Sequence, residues 1–295
     1  MDILLTGGTG FIGTELCAYL SDQHHKLVVK TRHPERIKGA IRGISSLDQL
    51  DGSENFDVVI NLAGEPIADK RWSPTQKKRI TDSRLSSTQE LIDYFTACET
   101  KPRLFISGSA IGYYGIDANS ESIDEQADGD DSFSSNLCRE WEACALQAEP
   151  LGIRTCLLRT GIVLGKNGGA LNKMVLPFNL GLGGKIGSGT QWMPWIHLHD
   201  MVALIAHCIT DESLQGPINA TAPHPVTNAD FTKALGNALH RPTLFTMPAK
   251  LIELLMGQMG EELLLAGKRV LPVKIKQAGF QFRYQRLDEA LKDIL

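Results

Sequence analysis

The stretch Thr6-Gly-Gly-Thr-Gly-Phe-Ile-Gly13 directly follows a short apolar run at residues 2–5. Apolar residues then recur at helical spacing, at Ile12, Leu16, Tyr19 and Leu20. The sequence therefore predicts a strand, a glycine-rich turn and a helix in immediate succession. In that setting Gly7, Gly10 and Gly13 permit a tight turn and a close approach of the backbone to a pyrophosphate at the helix N-terminus. A glycine turn that binds nothing is the alternative.

Apolar runs typical of buried strands alternate with helical patterns as far as residue 165. This alternation predicts an α/β fold with a Rossmann-type doubly wound parallel sheet in residues 1–165. Residues 196–226 are predicted to rejoin that sheet. The glycine-rich residues 166–195 and the mostly helical residues 227–295 are predicted to form a smaller domain on the substrate side. Among single elements, the pattern predicts helices at 81–95, 133–148 and 196–210, and strands at 154–164 and 217–221.

The chain has 295 residues, and its 30 Lys and Arg against 34 Asp and Glu give a formal net charge of −4. This balance predicts no nucleic-acid partner, which would need a basic stripe. Apolar runs are short and interrupted, and the N-terminus has no secretory pattern, so we expect a cytoplasmic protein with no membrane partner. A homo-oligomer is left open by the sequence.

The end of the predicted second strand bears on the choice of cofactor. An NAD-specific site has an acidic residue there, which binds the ribose 2′-hydroxyl. This chain has Thr31 and Arg32 instead, a hydroxyl and a planar guanidinium suited to a 2′-phosphate. The sequence therefore favours NADP (as NADPH), with a solvated basic turn as the alternative.

Asn61-Leu-Ala-Gly64 follows another buried strand, and its small residues would let a dinucleotide lie across the strand ends. Together with the glycine turn and Ser107-Gly-Ser109, this segment resembles the extended short-chain dehydrogenase/reductases, the class of the sugar-nucleotide epimerases and dehydratases. The segments at 107–115, 158–165, 187–191 and 279–282 narrow the resemblance to the YfcH-type epimerase family proteins, an atypical branch. The resemblance covers nearly the whole chain.

The resemblance implies an NADP-binding Rossmann domain and a smaller C-terminal domain, without a settled substrate. It also places Thr31, Arg32, Leu62, Ala63, Arg84 and Val163 on the cofactor. With the motifs above, the candidate cofactor residues are Gly7, Thr9, Gly10, Phe11, Ile12, Gly13, Thr31, Arg32, Leu62, Ala63, Gly64, Arg84, Ser107 and Val163.

The catalytic residues are where the chain departs from its class. The class has a serine and a Tyr-x-x-x-Lys pair, in which the lysine lowers the pKa of the tyrosine for proton exchange. In the expected helix this chain has Phe133 and Leu137 at those positions. Ser109 remains in the position of the serine. The candidate catalytic residues are therefore Ser109 with Tyr113 or Tyr114, and a place in the cleft wall or the core is the alternative for them.

Two functions follow from this departure. One is an NADP(H)-dependent oxidoreductase or epimerase-like enzyme that acts on an unidentified small molecule. The other is a non-catalytic NADP(H)-binding sensor. Where nucleotide-sugar enzymes of the class have an arginine, this chain has Trp192, Met193 and Trp195. These residues indicate an apolar or flat substrate, or else a place in the core.

Three further segments are rich in ionisable residues. His197 and His199 have no evident third protein ligand for zinc, so no metal site is predicted there. Asp200 is expected to cap a helix instead. Residues 117–131 hold seven acidic residues and no basic one, which indicates a solvated loop or a lid over the cleft. Five cations lie between residues 70 and 79 and are expected on an exposed helix face.

Overall fold

The structure is a computed structural model that describes residues 1–51, 54–116 and 121–295. Its strands are β1 (Asp2–Thr6), β2 (Lys26–Lys30), β3 (Arg42–Ile44), β4 (Val58–Asn61), β5 (Leu104–Ala110), β6 (Ser122–Ile123), β7 (Arg154–Thr160), β8 (Ile162–Leu164), β9 (Gly184–Ile186), β10 (Trp192–Met193), β11 (Trp195–His197), β12 (Gly216–Ala220), β13 (Val226–Thr227), β14 (Phe245–Met247) and β15 (Arg269–Val270). Its helices are α1 (Phe11–Asp22), α2 (Pro74–Ala97), α3 (Phe133–Ala145), α4 (Gly169–Asn179), α5 (Leu198–Thr210), α6 (Asn228–Leu239), α7 (Ala249–Met256), α8 (Gln258–Gly260), α9 (Val273–Gln277) and α10 (Leu287–Ile294).

Seven parallel strands form the central sheet, in the order β12-β7-β5-β4-β1-β2-β3. Successive side chains of a strand point to opposite faces, so each strand contributes to two cores. In β1, Ile3 and Leu5 pack in the core that contains α1 and α5, whereas Leu4 packs in the core that contains α2. The predicted doubly wound α/β fold is confirmed.

A third core belongs to the C-terminal region and holds residues of α4, α6 and α10. Strand β12 lies at the edge of the central sheet, beside β7. The remaining strands pair in four two-stranded sheets, of which β9 with β14 and β15 with β6 recur below. In the described part of the chain, no helix is long and apolar enough to cross a bilayer.

Several predicted boundaries were wrong. The strand predicted at 154–164 is broken at Gly161, where an added Cβ atom would lie 2.7 Å from the carbonyl oxygen of Pro194. The helix predicted at 81–95 begins earlier, at Pro74, because Ser73 accepts a hydrogen bond from the Gln76 N–H and caps it. The segment predicted as a helix from residue 196 begins as β11, which pairs with β8.

Candidate functional site

The turn between β1 and α1 has no room for side chains at two glycines. Gly7 has a φ of +74°, and a Cβ atom there would lie 2.6 Å from the carbonyl carbon of Leu62. A Cβ atom on Gly13 would lie 2.2 Å from the carbonyl oxygen of Gly7. The Gly10 N–H donates a hydrogen bond to that same oxygen at 3.0 Å. The turn is therefore packed backbone against backbone.

The first turn of α1 presents backbone donors. The N–H groups of the first residues of a helix have no acceptor within the helix, and here these residues are Phe11, Ile12 and Gly13. Among the described residues, no side chain caps this end. The donors and the positive end of the helix dipole together favour a phosphate group at this position.

The end of β2 lies next to this turn. Thr31 Oγ1 lies 3.5 Å from Thr9 Oγ1 and accepts a hydrogen bond from the His33 N–H at 3.2 Å. Arg32 is exposed, and it forms no hydrogen bond or ion pair with any residue of the described ranges. Its guanidinium is therefore available to an anion bound beside the turn.

The end of β4 is fixed by buried hydrogen bonds of Asn61. Its side-chain oxygen accepts a hydrogen bond from Thr6 Oγ1 at 2.6 Å, and its amide donates to Thr88 Oγ1 at 2.9 Å. These bonds connect β4 to β1 and α2 at the residue that directly precedes Leu62, Ala63 and Gly64. The backbone of these predicted contact residues is therefore held in place.

Arg84 of α2 lies over Gly64, where an added Cβ atom would be 3.2 Å from the guanidinium carbon. The guanidinium donates hydrogen bonds to the carbonyl oxygens of Glu65 and Ile80, each at 3.1 Å. It also lies 5.2 Å from the centre of the Trp141 ring. Burial lowers the pKa of the Arg84 guanidinium. Arg84 is therefore held in place beside the crevice formed by the strand ends.

The loop between β8 and α4 packs on the start of α1 through Phe11. Cβ atoms added at Gly165, Gly168 and Gly169 would lie 3.0, 2.4 and 2.8 Å from atoms of the Phe11 ring. An added Cβ at Gly169 would also approach the Val163 carbonyl oxygen, at 2.9 Å. Part of the glycine-rich segment thus closely approaches the β1–α1 turn.

The side chain of Ser107, a candidate cofactor residue, is held within the sheet. It is fully buried in β5, and its hydroxyl donates a hydrogen bond to the Gly108 carbonyl oxygen at 3.3 Å. The role of Ser107 in binding a dinucleotide stays a prediction.

A cavity of about 490 Å³ lies at the carboxyl ends of β5 and β7, between the sheet and the C-terminal region. Ile12 and Leu62 form part of its wall, so it adjoins the crevice described above. Ser109 and Arg84 also line it. Apolar side chains dominate elsewhere, among them Ile67, Leu137, Trp141, Met174, Ile186, Trp192, Leu263 and Val270. This surface suits a molecule that is mainly apolar.

Helix α3 presents two pairs of residues four apart to this cavity, Ser134 with Cys138 and Leu137 with Trp141. Phe133 points elsewhere and packs edge-on against Trp72 at 4.9 Å. Neither cavity-facing pair is a tyrosine with a lysine, so the departure from the class holds in either register. Burial raises the pKa of the Cys138 thiol to about 11, which keeps it protonated near neutral pH.

Ser109 is tied to a buried ion pair. Its hydroxyl donates a hydrogen bond to Glu142 Oε1 at 2.6 Å. Arg159 donates two hydrogen bonds to the same carboxylate, from Nε at 2.8 Å and from Nη2 at 2.9 Å. All three side chains are almost fully buried. Because a hydroxyl has a single hydrogen, Ser109 keeps only acceptor lone pairs for a molecule in the cavity.

Both candidate tyrosines contact Arg159 of this ion pair, and neither lines the cavity. Tyr114 is fully buried; its hydroxyl donates to Asn219 Oδ1 at 2.7 Å and accepts from Arg159 at 3.0 Å. Burial raises its pKa to about 12, which does not suit proton exchange near neutral pH. The Tyr113 ring stacks on the Arg159 guanidinium at 3.4 Å. Only Ser109 of the candidate catalytic residues faces the cavity.

Comparison with known proteins agrees with this geometry. The family model of the NAD dependent epimerase/dehydratase family matches residues 3–220. The model of a domain of unknown function, DUF1731, matches residues 247–294. The chain belongs to the NAD-dependent epimerase/dehydratase family. The human epimerase family protein SDR39U1 is 36% identical over 299 residues, which cover all of both chains. A chloroplastic homolog of SDR39U1 from Arabidopsis thaliana is 37% identical and is covered to 87%.

Solved structures give the same picture. A crystal structure of human SDR39U1 with NADPH aligns with a TM-score of 0.89 at 34% identity, covering 100% of this chain and 99% of that one. UDP-glucuronic acid 4-epimerase from Bacillus cereus, solved with NAD, aligns with a TM-score of 0.77 over 99% and 94% of the two chains. Its identity is 18%, so this second likeness shows the fold alone. The predicted family resemblance is confirmed.

In this epimerase-family chain, Trp192 and Trp195 have different roles, one in the cavity wall and one in the core. Trp195 is fully buried in the C-terminal core, whereas Trp192 lines the cavity with Met193.

The expectation that Asp200 caps α5 was wrong. His197 caps it by accepting a hydrogen bond from the His199 N–H at 3.0 Å. Asp200 instead accepts the N–H groups of Arg283 and Tyr284, each at 2.9 Å.

Part of the acidic segment, residues 117–120, lies outside the described residues, so the predicted lid is untested there. The described part is bound to the C-terminal region, since β6 pairs with β15. Buried Glu125 also accepts hydrogen bonds from the N–H groups of Asn219 and Lys274. Glu262 of the C-terminal region accepts the Ser134 N–H at 2.9 Å, at the start of α3. The sequence pattern did not indicate these buried roles of Glu125 and Glu262, or those of Glu142 and Arg159.

Proposed function

We propose that this chain binds NADPH across the carboxyl ends of β1, β2 and β4. The β1–α1 turn, which has no room for side chains, and the uncapped start of α1 suit the pyrophosphate. Arg32, which pairs with no residue of the described ranges, suits the 2′-phosphate. Human SDR39U1, solved with NADPH, supports the same choice. The cytoplasmic location and the domain boundaries expected from the sequence stay predictions.

We further propose that the chain is an oxidoreductase or epimerase-like enzyme for a small, mainly apolar alcohol. The observation that carries this proposal is the apolar cavity beside the crevice, with Ser109 in its wall. Ser109 donates its hydrogen to Glu142, so a substrate group that binds Ser109 has to be a donor, such as a hydroxyl. When bound, the cofactor supplies hydride chemistry. The chain's own residues orient the alcohol and exclude water.

The Arg32→Ala variant tests the cofactor assignment. Losing charge-assisted hydrogen bonds to a 2′-phosphate costs about 1.5–3 kcal/mol, so the Kd for NADPH should rise roughly tenfold to a hundredfold. The Kd for NADH should not change, because NADH has no 2′-phosphate. Calorimetric titration with both dinucleotides measures this. Arg36→Ala is the matched control, since Arg36 is exposed nearby and pairs with Glu35. An unchanged preference in Arg32→Ala would refute the role of Arg32.

The Ser109→Ala variant tests the enzyme assignment, once a panel of apolar alcohols has been assayed for NADP⁺ reduction. Loss of one hydrogen bond to the substrate should lower kcat/KM by roughly twofold to tenfold. The control is Ser87→Ala, whose hydroxyl donates hydrogen bonds to carbonyl groups within α2. Equal kcat/KM values for Ser109→Ala and the parent protein would remove Ser109 from the site.

A non-catalytic NADPH sensor is the second candidate, and one observation favours it. The cavity-facing side of α3 offers Ser134, Leu137, Cys138 and Trp141, none of which exchanges protons readily near neutral pH. Tight NADPH binding without reduction of NADP⁺ by any alcohol of the panel would favour the sensor over the enzyme.

A further inference from the structure

Nine large apolar side chains are exposed in two segments of the chain, residues 176–182 and 244–255. They are Leu176, Leu180, Leu182, Leu244, Phe245, Met247, Leu251, Leu254 and Leu255, with exposed fractions from 38% to 88%. We call this set the apolar face. Large apolar side chains exposed in such a cluster are uncommon on soluble domains and mark an interaction site.

The two segments are neighbours in the fold. Strand β14 pairs with β9, two residues beyond Leu182, and Arg241 donates a hydrogen bond to the Asn179 carbonyl oxygen at 3.1 Å. Leu176 and Leu180 are four residues apart and so share one side of the C-terminal part of α4. Leu251, Leu254 and Leu255 likewise share the outer side of α7, which begins two residues after β14. Neighbouring elements thus carry outward-facing apolar residues.

Cations border this face. The Arg71 guanidinium lies 3.1 Å from a Cβ atom added at Gly257, just after α7. Lys77 donates a hydrogen bond to Gln258 in α8. Lys173 of α4 also lies there, but it forms an ion pair with Asp69, which neutralises its charge. The cationic rim, as we call it, therefore consists of Lys70, Arg71, Lys77 and Lys250. It stands out in a chain whose net charge is −4.

We propose that the apolar face docks on the surface of an anionic lipid bilayer. Leucines of α4 and α7 would enter the boundary between headgroups and acyl chains, and the cationic rim would meet lipid phosphates. Charge decides against a second copy of the chain, because a symmetric interface would bring two cationic rims together. The proposal does not rest on the proposed function.

Docking of this kind would overturn the prediction of no membrane partner, which rested on the short, interrupted apolar runs. The apolar face also lies next to the cavity. Met174 of α4 and Ile186 of β9 line the cavity, whereas Leu176 and Leu180 of α4 face outward. A bilayer on the apolar face would therefore lie one layer of secondary structure away from the apolar cavity.

Co-sedimentation with vesicles tests the proposal on the full chain. We expect binding to vesicles of phosphatidylcholine with phosphatidylglycerol, and much weaker binding to vesicles of phosphatidylcholine alone. High salt should also weaken binding, because it screens the cationic rim. The Leu254→Glu variant should bind anionic vesicles at least about tenfold more weakly, because one leucine no longer enters the bilayer. Leu295→Glu is the control, the same substitution at an exposed leucine outside the apolar face.

The double variant Lys70→Gln/Lys250→Gln tests the charge contribution separately, since it leaves the leucines intact. Each cation should contribute about fivefold on anionic vesicles, and neither should matter on neutral ones. Lys26→Gln is its control, because Lys26 is exposed at the amino end of β2. Binding by Leu254→Glu equal to the parent protein would overturn the proposal. So would a parent protein that ignores anionic vesicles, or one that forms a dimer in light scattering which Leu254→Glu dissociates.

Discussion

Alanine in place of Gly13 is expected to destabilise the fold and to weaken NADPH binding together. The added Cβ atom would lie 2.2 Å from the Gly7 carbonyl oxygen and 2.7 Å from the Gly8 Cα atom, both backbone atoms that no side-chain rotation can move. Overpacking of this kind costs about 1–3 kcal/mol or more. If the turn shifts to relieve the contact, bound NADPH has to restore its shape, and the Kd should rise by roughly tenfold to a hundredfold.

Denaturant unfolding and calorimetric titration measure the two effects of Gly13→Ala. The matched control is Gly152→Ala, at a glycine with a φ of +82° and no atom within 4 Å of the added Cβ atom. That variant should lose about 1–2 kcal/mol through backbone strain and keep its NADPH affinity. If Gly13→Ala loses stability but binds NADPH like the parent protein, the turn holds the fold together without holding the dinucleotide.

The elements of the candidate cofactor crevice could be predicted because they lie close together in sequence. A strand, a glycine turn and a helix within residues 2–22 are a local pattern, and Thr31 and Arg32 directly follow the next strand. Element boundaries that depend on distant contacts were missed. The break at Gly161 is set by the Pro194 carbonyl oxygen, 33 positions away, and nothing near Gly161 in sequence indicates it.

The polar side of the cavity was missed for a related reason. Glu142 is 33 residues from Ser109 and 17 from Arg159, and only the fold brings the three together. A charged residue is normally assigned to the surface, because burial without a partner is costly. One signal was present, however. Glu142 lies four residues after Cys138, on the side of α3 that is otherwise buried and mainly apolar. A carboxylate on such a stripe indicates a buried partner.

The Glu142→Gln variant should lower the free energy of unfolding by about 3–5 kcal/mol, since it leaves the Arg159 guanidinium buried without its counter-ion. Among the described residues, Arg159 would retain the Tyr114 hydroxyl and the Glu125 carbonyl oxygen as acceptors besides the new amide. Denaturant unfolding measures the change. Glu140→Gln is the matched control on the same helix, where the side chain is exposed, and should stay within about 0.5 kcal/mol of the parent protein.

The double variant Glu142→Leu/Arg159→Met separates a buried unpaired charge from a general loss of packing. Replacing both members of a buried ion pair by apolar residues is often neutral or stabilising, so this variant should be more stable than Glu142→Gln. Ser109 would then have no carboxylate acceptor, so its hydrogen could turn toward the cavity. A double variant that folds but loses turnover would indicate that the ion pair is kept to orient Ser109 rather than to stabilise the fold. If Glu142→Gln is as stable as Glu140→Gln, the ion pair described here does not form in solution.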